Sequence, residues 1–155
     1  MQDGKLDINH KGLLEVDCAT KTVTRPKLAY RAVQSLTAIV DGNVTRPKDL
    51  MWIHDAQRDV TRADATRGAN HLVFLWVNNV PPMGNTTFSA NAEAVDVDLA
   101  NVTFADPVVV DLFTGDVYAA PACGAGAERC DVPVYDGPVV LADKSTVPIT
   151  PTKLM

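Results

Sequence analysis

The sequence has neither a long apolar run nor a concentration of positive charge. Its longest apolar stretches, such as Leu72–Val77, are far shorter than the roughly 20 residues that a membrane-spanning helix requires. It has no run of four or more Lys or Arg residues, and its net charge is −5. This balance argues against a nucleic-acid-binding protein, which would show a basic patch. The opening residues, Met1–Lys5, have no apolar core, so we expect no export signal in this chain.

Several familiar catalytic and metal-binding patterns are also missing. The sequence has no Gly-X-Ser-X-Gly turn and no glycine-rich phosphate loop. Its histidines lack the close spacings of a zinc site, and its central aspartates lack the spacing of a calcium loop. These residues are His10, His54 and His71, and Asp55, Asp59 and Asp64. We therefore predict no metal site and no cofactor.

The composition itself favours a folded, β-rich protein. Hydrophobic residues make up 46% of the chain and charged residues 21%, close to the average for globular proteins. Val and Thr, which suit pleated surfaces, are frequent, and the 10 prolines are typical of strand edges and turns. The predicted fold class is mainly β, an antiparallel β-sandwich with one N-terminal α-helix.

One segment, residues 27–40, carries a helical pattern. Pro26 can occupy the first turn without loss of a hydrogen bond. The apolar residues then recur at three- and four-residue spacing, which predicts a single buried stripe. The members of this stripe are Leu28, Ala32, Leu36, Ile39 and Val40. Gly42 can take the left-handed conformation that ends a helix.

The rest of the chain shows short β segments separated by turn residues, as in a sandwich. The predicted segments are Gly12–Val16, Leu50–His54, His71–Val77, Thr86–Ala92, Ala94–Leu99, Val108–Leu112, Val117–Tyr118, Val132–Tyr135 and Pro138–Leu141. The nearly continuous apolar run His71–Val77 indicates a central strand covered on both faces. The charged stretch 55–70 is predicted to be an exposed loop or a hairpin with Gly68 at its turn.

Three stretches together resemble a known family. The segment Lys11–Asp17, followed by Arg25–Gln34, looks like the end of the catalytic barrel of clan-A glycoside hydrolases, where a Lys-Pro-X-Ala-Tyr-X-Ala-X-Gln segment opens the last helix. Asp106–Tyr118 and Val132–Ser145 look like the β-sandwich that follows such barrels. An Asp-Leu-X-Thr-Gly turn and a Pro-X-Tyr-Asp-X-Pro segment recur there. The resemblance runs in order over about residues 10 to 147.

This resemblance implies two regions and a non-catalytic function. Residues 1–42 would be a remnant of the barrel end, and residues 43–155 the β-sandwich domain. In that clan the two catalytic glutamates lie on earlier barrel strands, upstream of anything that matches this chain. The leading hypothesis is therefore a C-terminal β-sandwich portion of a glycoside hydrolase that supports or rims a catalytic barrel. The parent family is often secreted.

The alternative is a small autonomous glycoside hydrolase or carbohydrate-binding module. Hydrolysis requires two carboxyls roughly 5–5.5 Å apart for retention of configuration, or roughly 6.5–9.5 Å apart for inversion. Glu15 and Asp17, and likewise Asp96 and Asp98, are i,i+2 pairs that would share one face of a strand. Either pair could equally be the solvent face of an amphipathic strand. Trp52 could stack on a sugar ring or pack against other side chains.

The cysteines and the helix lead to two further expectations. Cys123 and Cys130 flank a glycine-rich tip and are candidates for a disulfide, although two free thiols remain the other possibility. Cys18 would be left over in either case. If the helix lacks a barrel beside it, its apolar face must find another surface. We therefore predict a homo-oligomer that forms through this face, with a carbohydrate or a catalytic barrel domain as the other candidate partners.

Overall fold

The structure is a computed structural model that describes residues 13–17, 19–45, 54–55, 60–77, 92–99 and 102–149. In these residues it contains eleven strands, one α-helix and two short 3-10 turns. The strands are β1 (Leu14–Asp17), β2 (Thr22–Pro26), β3 (Val44–Thr45), β4 (His54–Asp55), β5 (Val60–Arg67), β6 (Asn70–Val77), β7 (Glu93–Asp98), β8 (Pro107–Asp111), β9 (Val117–Ala119), β10 (Arg129–Val134) and β11 (Val139–Asp143). The helix α1 is Leu28–Ile39, and the 3-10 turns are Pro121–Cys123 and Lys144–Thr146.

The described strands form three antiparallel sheets, so the predicted mainly β fold with one helix is confirmed. The largest sheet has seven strands in the order β3-β5-β6-β11-β8-β9, with β4 paired to the same strand β5 as β3. A second sheet pairs β7 with β10, and a third pairs β1 with β2 in a hairpin. The strand predicted to be central, β6, lies between β5 and β11.

Each face of the seven-stranded sheet carries its own apolar core, because side chains alternate along its strands. In β11, Val139 and Leu141 point to one core, and Val140 and Ala142 point to the other. The first core is closed by the β7–β10 sheet, which contributes Val95, Val97, Val132 and Val134. The second core is closed in part by α1. All five residues of β11 are buried, as expected of a strand covered on both faces.

The helix touches the second core mainly at its C-terminal end. Ile39 is fully buried there with Leu72, Val110 and Val140 of the sheet. Only Ile39 and Ser35 of the helix are buried. The predicted apolar stripe is therefore split, because Leu28, Leu36 and Val40 are exposed. The helix and sheet share one core, and the proposed division at residue 42 stays a prediction.

The charged stretch 55–70 contains a strand where an exposed loop was one expectation. Residues 60–67 form β5, and Gly68 turns the chain into β6 with φ of +61°. Charged residues are tolerated on the inner face of β5 because Arg62 and Asp64 neutralise each other. The predicted strand Thr86–Ala92 lies almost wholly outside the described residues, as do residues 50–53 of the predicted strand Leu50–His54.

Candidate functional site

The first pair of candidate carboxylates, Glu15 and Asp17, lies on the β1–β2 hairpin. Glu15 forms an ion pair with Arg25, the residue directly opposite it on β2. The Asp17 carboxylate accepts hydrogen bonds from the backbone N–H groups of Ala19 (2.8 Å) and Thr20 (3.3 Å). These bonds hold the pKa of Asp17 below its usual range. The Asp17 carboxylate thus closes the turn between β1 and β2.

The second pair, Asp96 and Asp98, lies on the exposed face of β7. Val95 and Val97 alternate with them and point into the core. Asp96 accepts a 2.8 Å hydrogen bond from Nε of Arg129 on the neighbouring strand, and both side chains are more than half exposed. This ion pair raises the pKa of Arg129. The two carboxylate pairs therefore lie on different sheets, each on a solvent-facing surface.

The remaining predicted site residues divide between described and undescribed parts of the chain. Cys123 and Cys130 are joined in a disulfide, with their Cα atoms 5.1 Å apart. Both cysteines belong to the core between the seven-stranded sheet and the β7–β10 sheet. Trp52 and Cys18 lie outside the described residues. Among the described side chains, no cluster of three His, Cys, Asp or Glu could hold a metal ion.

The segments that carry the family resemblance meet at one place, the turn between β8 and β9. The Asp111 carboxylate accepts hydrogen bonds from the N–H groups of Phe113 (2.8 Å) and Thr114 (3.1 Å). The N–H of Gly115 donates to the Asp111 carbonyl at 2.8 Å. Gly115 has φ of +77°, a conformation that glycine adopts without strain. The Asp-Leu-X-Thr-Gly sequence thus encodes a closed turn.

Tyr135 attaches the second resembling segment to this turn. Its hydroxyl donates a 2.6 Å hydrogen bond to the second carboxylate oxygen of Asp111. Burial, together with the carboxylate of Asp111, raises the pKa of Tyr135 well above its usual value. A Cβ at Gly137 would lie 2.6 Å from the Tyr135 ring and 2.9 Å from Phe113, so glycine is required for this packing.

Helix α1 lies against the same turn and leaves a cavity of about 200 Å³ beside it. One helix face contributes residues at i, i+3, i+4 and i+7, and the turn and the C-terminal segment close the other side. The lining residues are Arg31, Gln34, Ser35, Ala38, Thr114, Gly115 and Ile149. Four of these side chains carry donors or acceptors, so the cavity is suited to a small polar ligand.

The sequence interpretation did not single out the residues of this cavity. Ser35 is the residue that could have indicated the cavity. It is polar and points toward the sheet, whereas Ile39, one helical turn later, is apolar and buried. Arg31 and Ala38 share that face at helical spacing. The partner surface, Thr114 and Gly115, was interpreted only as a turn. The approach of helix and turn is a tertiary contact that no local pattern indicates.

Comparison of the chain with protein-family models, with curated proteins and with solved structures found no match. The described residues include no helix that is both long and apolar enough to cross a membrane.

Proposed function

We propose that this chain is a C-terminal β-sandwich portion of a glycoside hydrolase, and that it braces a catalytic barrel rather than performing hydrolysis. The observation that carries the proposal is the position of the exposed apolar side chains. Ten large apolar residues are exposed in the described part of the chain, and nine of them fall within residues 13–40. These nine are Leu13, Leu14, Val16, Val23, Leu28, Tyr30, Val33, Leu36 and Val40. We call them the apolar face.

The apolar face coincides with the part of the sequence that resembles a barrel end. Tyr30, Val33 and Leu36 of α1 recur at a spacing of three residues, and Val40, directly after the helix, follows four residues later. These spacings place the four side chains along one side of the helix. The opposite side carries Ser35, which points toward the sheet. A helix that is apolar on its outer side is typical of one buried between two layers. The sheet supplies one layer, and a barrel would supply the other.

The candidate carboxylates support a non-catalytic function. Glu15 and Asp96 each form an exposed ion pair with an arginine on the adjacent strand, and Asp17 closes a turn. The polar cluster that joins the resembling segments, Asp111 with Tyr135, is likewise occupied by internal hydrogen bonds. These groups stabilise strands and turns, which is what a bracing domain requires.

The test is complementation of a barrel from a clan-A glycoside hydrolase that has been truncated before its last helix and sandwich. We expect added chain to raise the thermal midpoint of the truncated barrel and to restore hydrolysis of nitrophenyl glycosides. Val33→Glu, which places a charge in the apolar face, should abolish both effects. Tyr118→Ser should preserve the stabilisation and the restored hydrolysis. Among the ten exposed large apolar residues of the described part of the chain, Tyr118 is the one that lies outside the apolar face.

Two results would overturn the proposal. One is a truncated barrel whose stability and activity do not respond to the unaltered chain. The other is hydrolysis of nitrophenyl glycosides by the chain alone, with turnover lost in Glu15→Gln or Asp96→Asn. That second result would establish the alternative, an autonomous small glycoside hydrolase.

A further inference from the structure

The cavity beneath α1 has polar walls although it borders an apolar core. Ser35 is 8% exposed and lines the cavity. A Cβ at Gly115 would lie 3.7 Å from the Ser35 hydroxyl oxygen and 3.7 Å from the side chain of Ile149. The wall of the cavity therefore carries a hydroxyl whose oxygen is accessible, so that a bound molecule can reach it.

Arg31 supplies a positive charge at the same cavity. It lies one helical turn before Ser35, on the same side of α1, and is half-buried. Within the described part of the chain no carboxylate pairs with its guanidinium. A guanidinium with a fixed planar set of donors is well suited to a carboxylate, which it can bind through two parallel hydrogen bonds.

The acidic residues closest in sequence to Thr114 and Gly115 form hydrogen bonds with groups outside the cavity. Asp111 binds the N–H groups of its own turn and the Tyr135 hydroxyl. Asp116 accepts a 3.4 Å hydrogen bond from the hydroxyl of Tyr118. The Thr114 hydroxyl oxygen accepts the N–H of Asp116, which leaves its own proton available to a ligand. The charge that lines the cavity is thus that of Arg31.

We propose that this cavity binds a small hydroxylated carboxylate. Arg31 would bind the carboxylate, and the Ser35 and Thr114 hydroxyls, with the Gln34 amide, would bind the ligand hydroxyls. The volume of about 200 Å³ is below the 300–1,000 Å³ that is usual for drug-sized ligands, which favours a compact molecule. The helix residues of the site lie on the side of α1 opposite to Tyr30, Val33 and Leu36, so a variant at one of these three positions does not alter the cavity lining.

The experiment titrates the isotope-labelled full chain with D-glycerate and follows backbone amide resonances. We expect shifts at Ser35 and Gly115 and a dissociation constant on the order of 1 mM, since a ligand this small makes few contacts. Glycerol has the hydroxyls without the carboxylate, and acetate has the carboxylate without the hydroxyls. Each should bind at least about tenfold more weakly, because each lacks one of the two recognised groups.

Substitutions identify the residues responsible. Arg31→Gln should weaken glycerate binding by about tenfold or more, and Ser35→Ala by a smaller factor. Lys21→Gln removes the same charge from the exposed β1–β2 turn and should leave the affinity unchanged. The amide spectrum of each variant also reports whether it is folded. No shift at the cavity with tens of millimolar glycerate would overturn the proposal, as would equal affinity in Arg31→Gln.

Discussion

Tyr135 and Asp111 form the hydrogen bond that holds the two sandwich segments of the resemblance together. One Asp111 oxygen closes its own turn through two backbone N–H groups, and the other accepts the Tyr135 hydroxyl at 2.6 Å. Deletion of the hydroxyl leaves that second oxygen without its donor. Hydrogen bonds to charged groups contribute about 1.5–3 kcal/mol to stability.

Tyr135→Phe should therefore lower the free energy of unfolding by about 1.5–3 kcal/mol. It should also change the alkaline limb of the stability profile. Because the native pKa of Tyr135 is raised, its contribution is complete below the unfolded value of about 10. As the pH rises further, the unfolded chain loses the phenolic proton while the native protein retains it, and stability falls.

Urea unfolding between pH 7 and 11 measures both effects. The variant should show a shallower decline above about pH 10 than the unaltered protein. Tyr118→Phe is the matched control, because Tyr118 is more exposed and its hydroxyl is 3.4 Å from Asp116. Parallel profiles for the unaltered protein and Tyr135→Phe would contradict the assignment.

Single residues were predictable where the nearest neighbours in sequence decide their environment. Asp96 and Asp98 alternate with valines, and one interpretation of this pattern was the solvent face of an amphipathic strand. The structure places both aspartates on such a face. The hydrogen bond by which Asp111 joins its turn to Tyr135 was not predictable. Its partner Tyr135 is 24 residues away, and the hydrogen bond depends on how β8 and β11 pair.

At the scale of elements, Arg62 connects the two sheets of the sandwich. It lies on β5, is nearly buried, and forms a bidentate ion pair with Asp64 two residues along the same face. Its remaining nitrogen donates to the backbone carbonyl of Asp98 at the end of β7. One side chain thus neutralises a half-buried carboxylate and satisfies the carbonyl of the opposing sheet.

Arg62→Met should destabilise the protein by about 3–5 kcal/mol, because it leaves the Asp64 charge without its partner. Adding Asp64→Leu should recover much of this loss, since an apolar pair of similar volume removes the unpaired charge. Urea unfolding of the two single variants and the double variant measures the coupling. Additive effects of the two substitutions would show that the pair does not act as a unit.

The disulfide is a second connection at this scale. It ties the 3-10 turn before β10 to the strand itself, across seven residues of sequence. After denaturation without reductant, iodoacetamide should modify one of the three cysteines, Cys18, and all three after reduction. Closure of so short a loop should contribute about 2.5 kcal/mol on the chain-entropy model. The measurement compares the free energy of unfolding of the unaltered protein with that of the double variant Cys123→Ala, Cys130→Ala. Three reactive thiols without reductant would exclude the bond.

The elements with a clear period were predicted well from sequence, and those stabilised by distant partners were not. The helix and the alternating strand β7 were predicted within one or two residues. β5 was left open as loop or hairpin because its charges suggested exposure, and the ion pair that permits burial is a spatial arrangement. The helical stripe was predicted as one buried surface, although only Ile39 of its members is buried.

At the scale of the whole molecule, apolar exposure is distributed unevenly. The seven-stranded sheet is covered on both faces, whereas residues 13–40 carry nine exposed large apolar side chains. Soluble monomers rarely expose contiguous apolar patches of more than a few hundred Å². In the absence of a barrel, a second copy of the chain is the surface available to cover the apolar face.

We therefore predict that the isolated chain self-associates through the apolar face. Light scattering across micromolar concentrations should give a weight-average mass that rises above the 16.6 kDa of the monomer. Val33→Glu combined with Leu36→Glu should return the mass to that of a monomer, because two charges would have to be buried without partners. Tyr118→Ser should leave the association unchanged.

Because apolar contact drives the association, added salt should not dissociate it, in contrast to an interface held by surface ion pairs. A monomeric mass for the unaltered chain at every concentration would contradict the prediction.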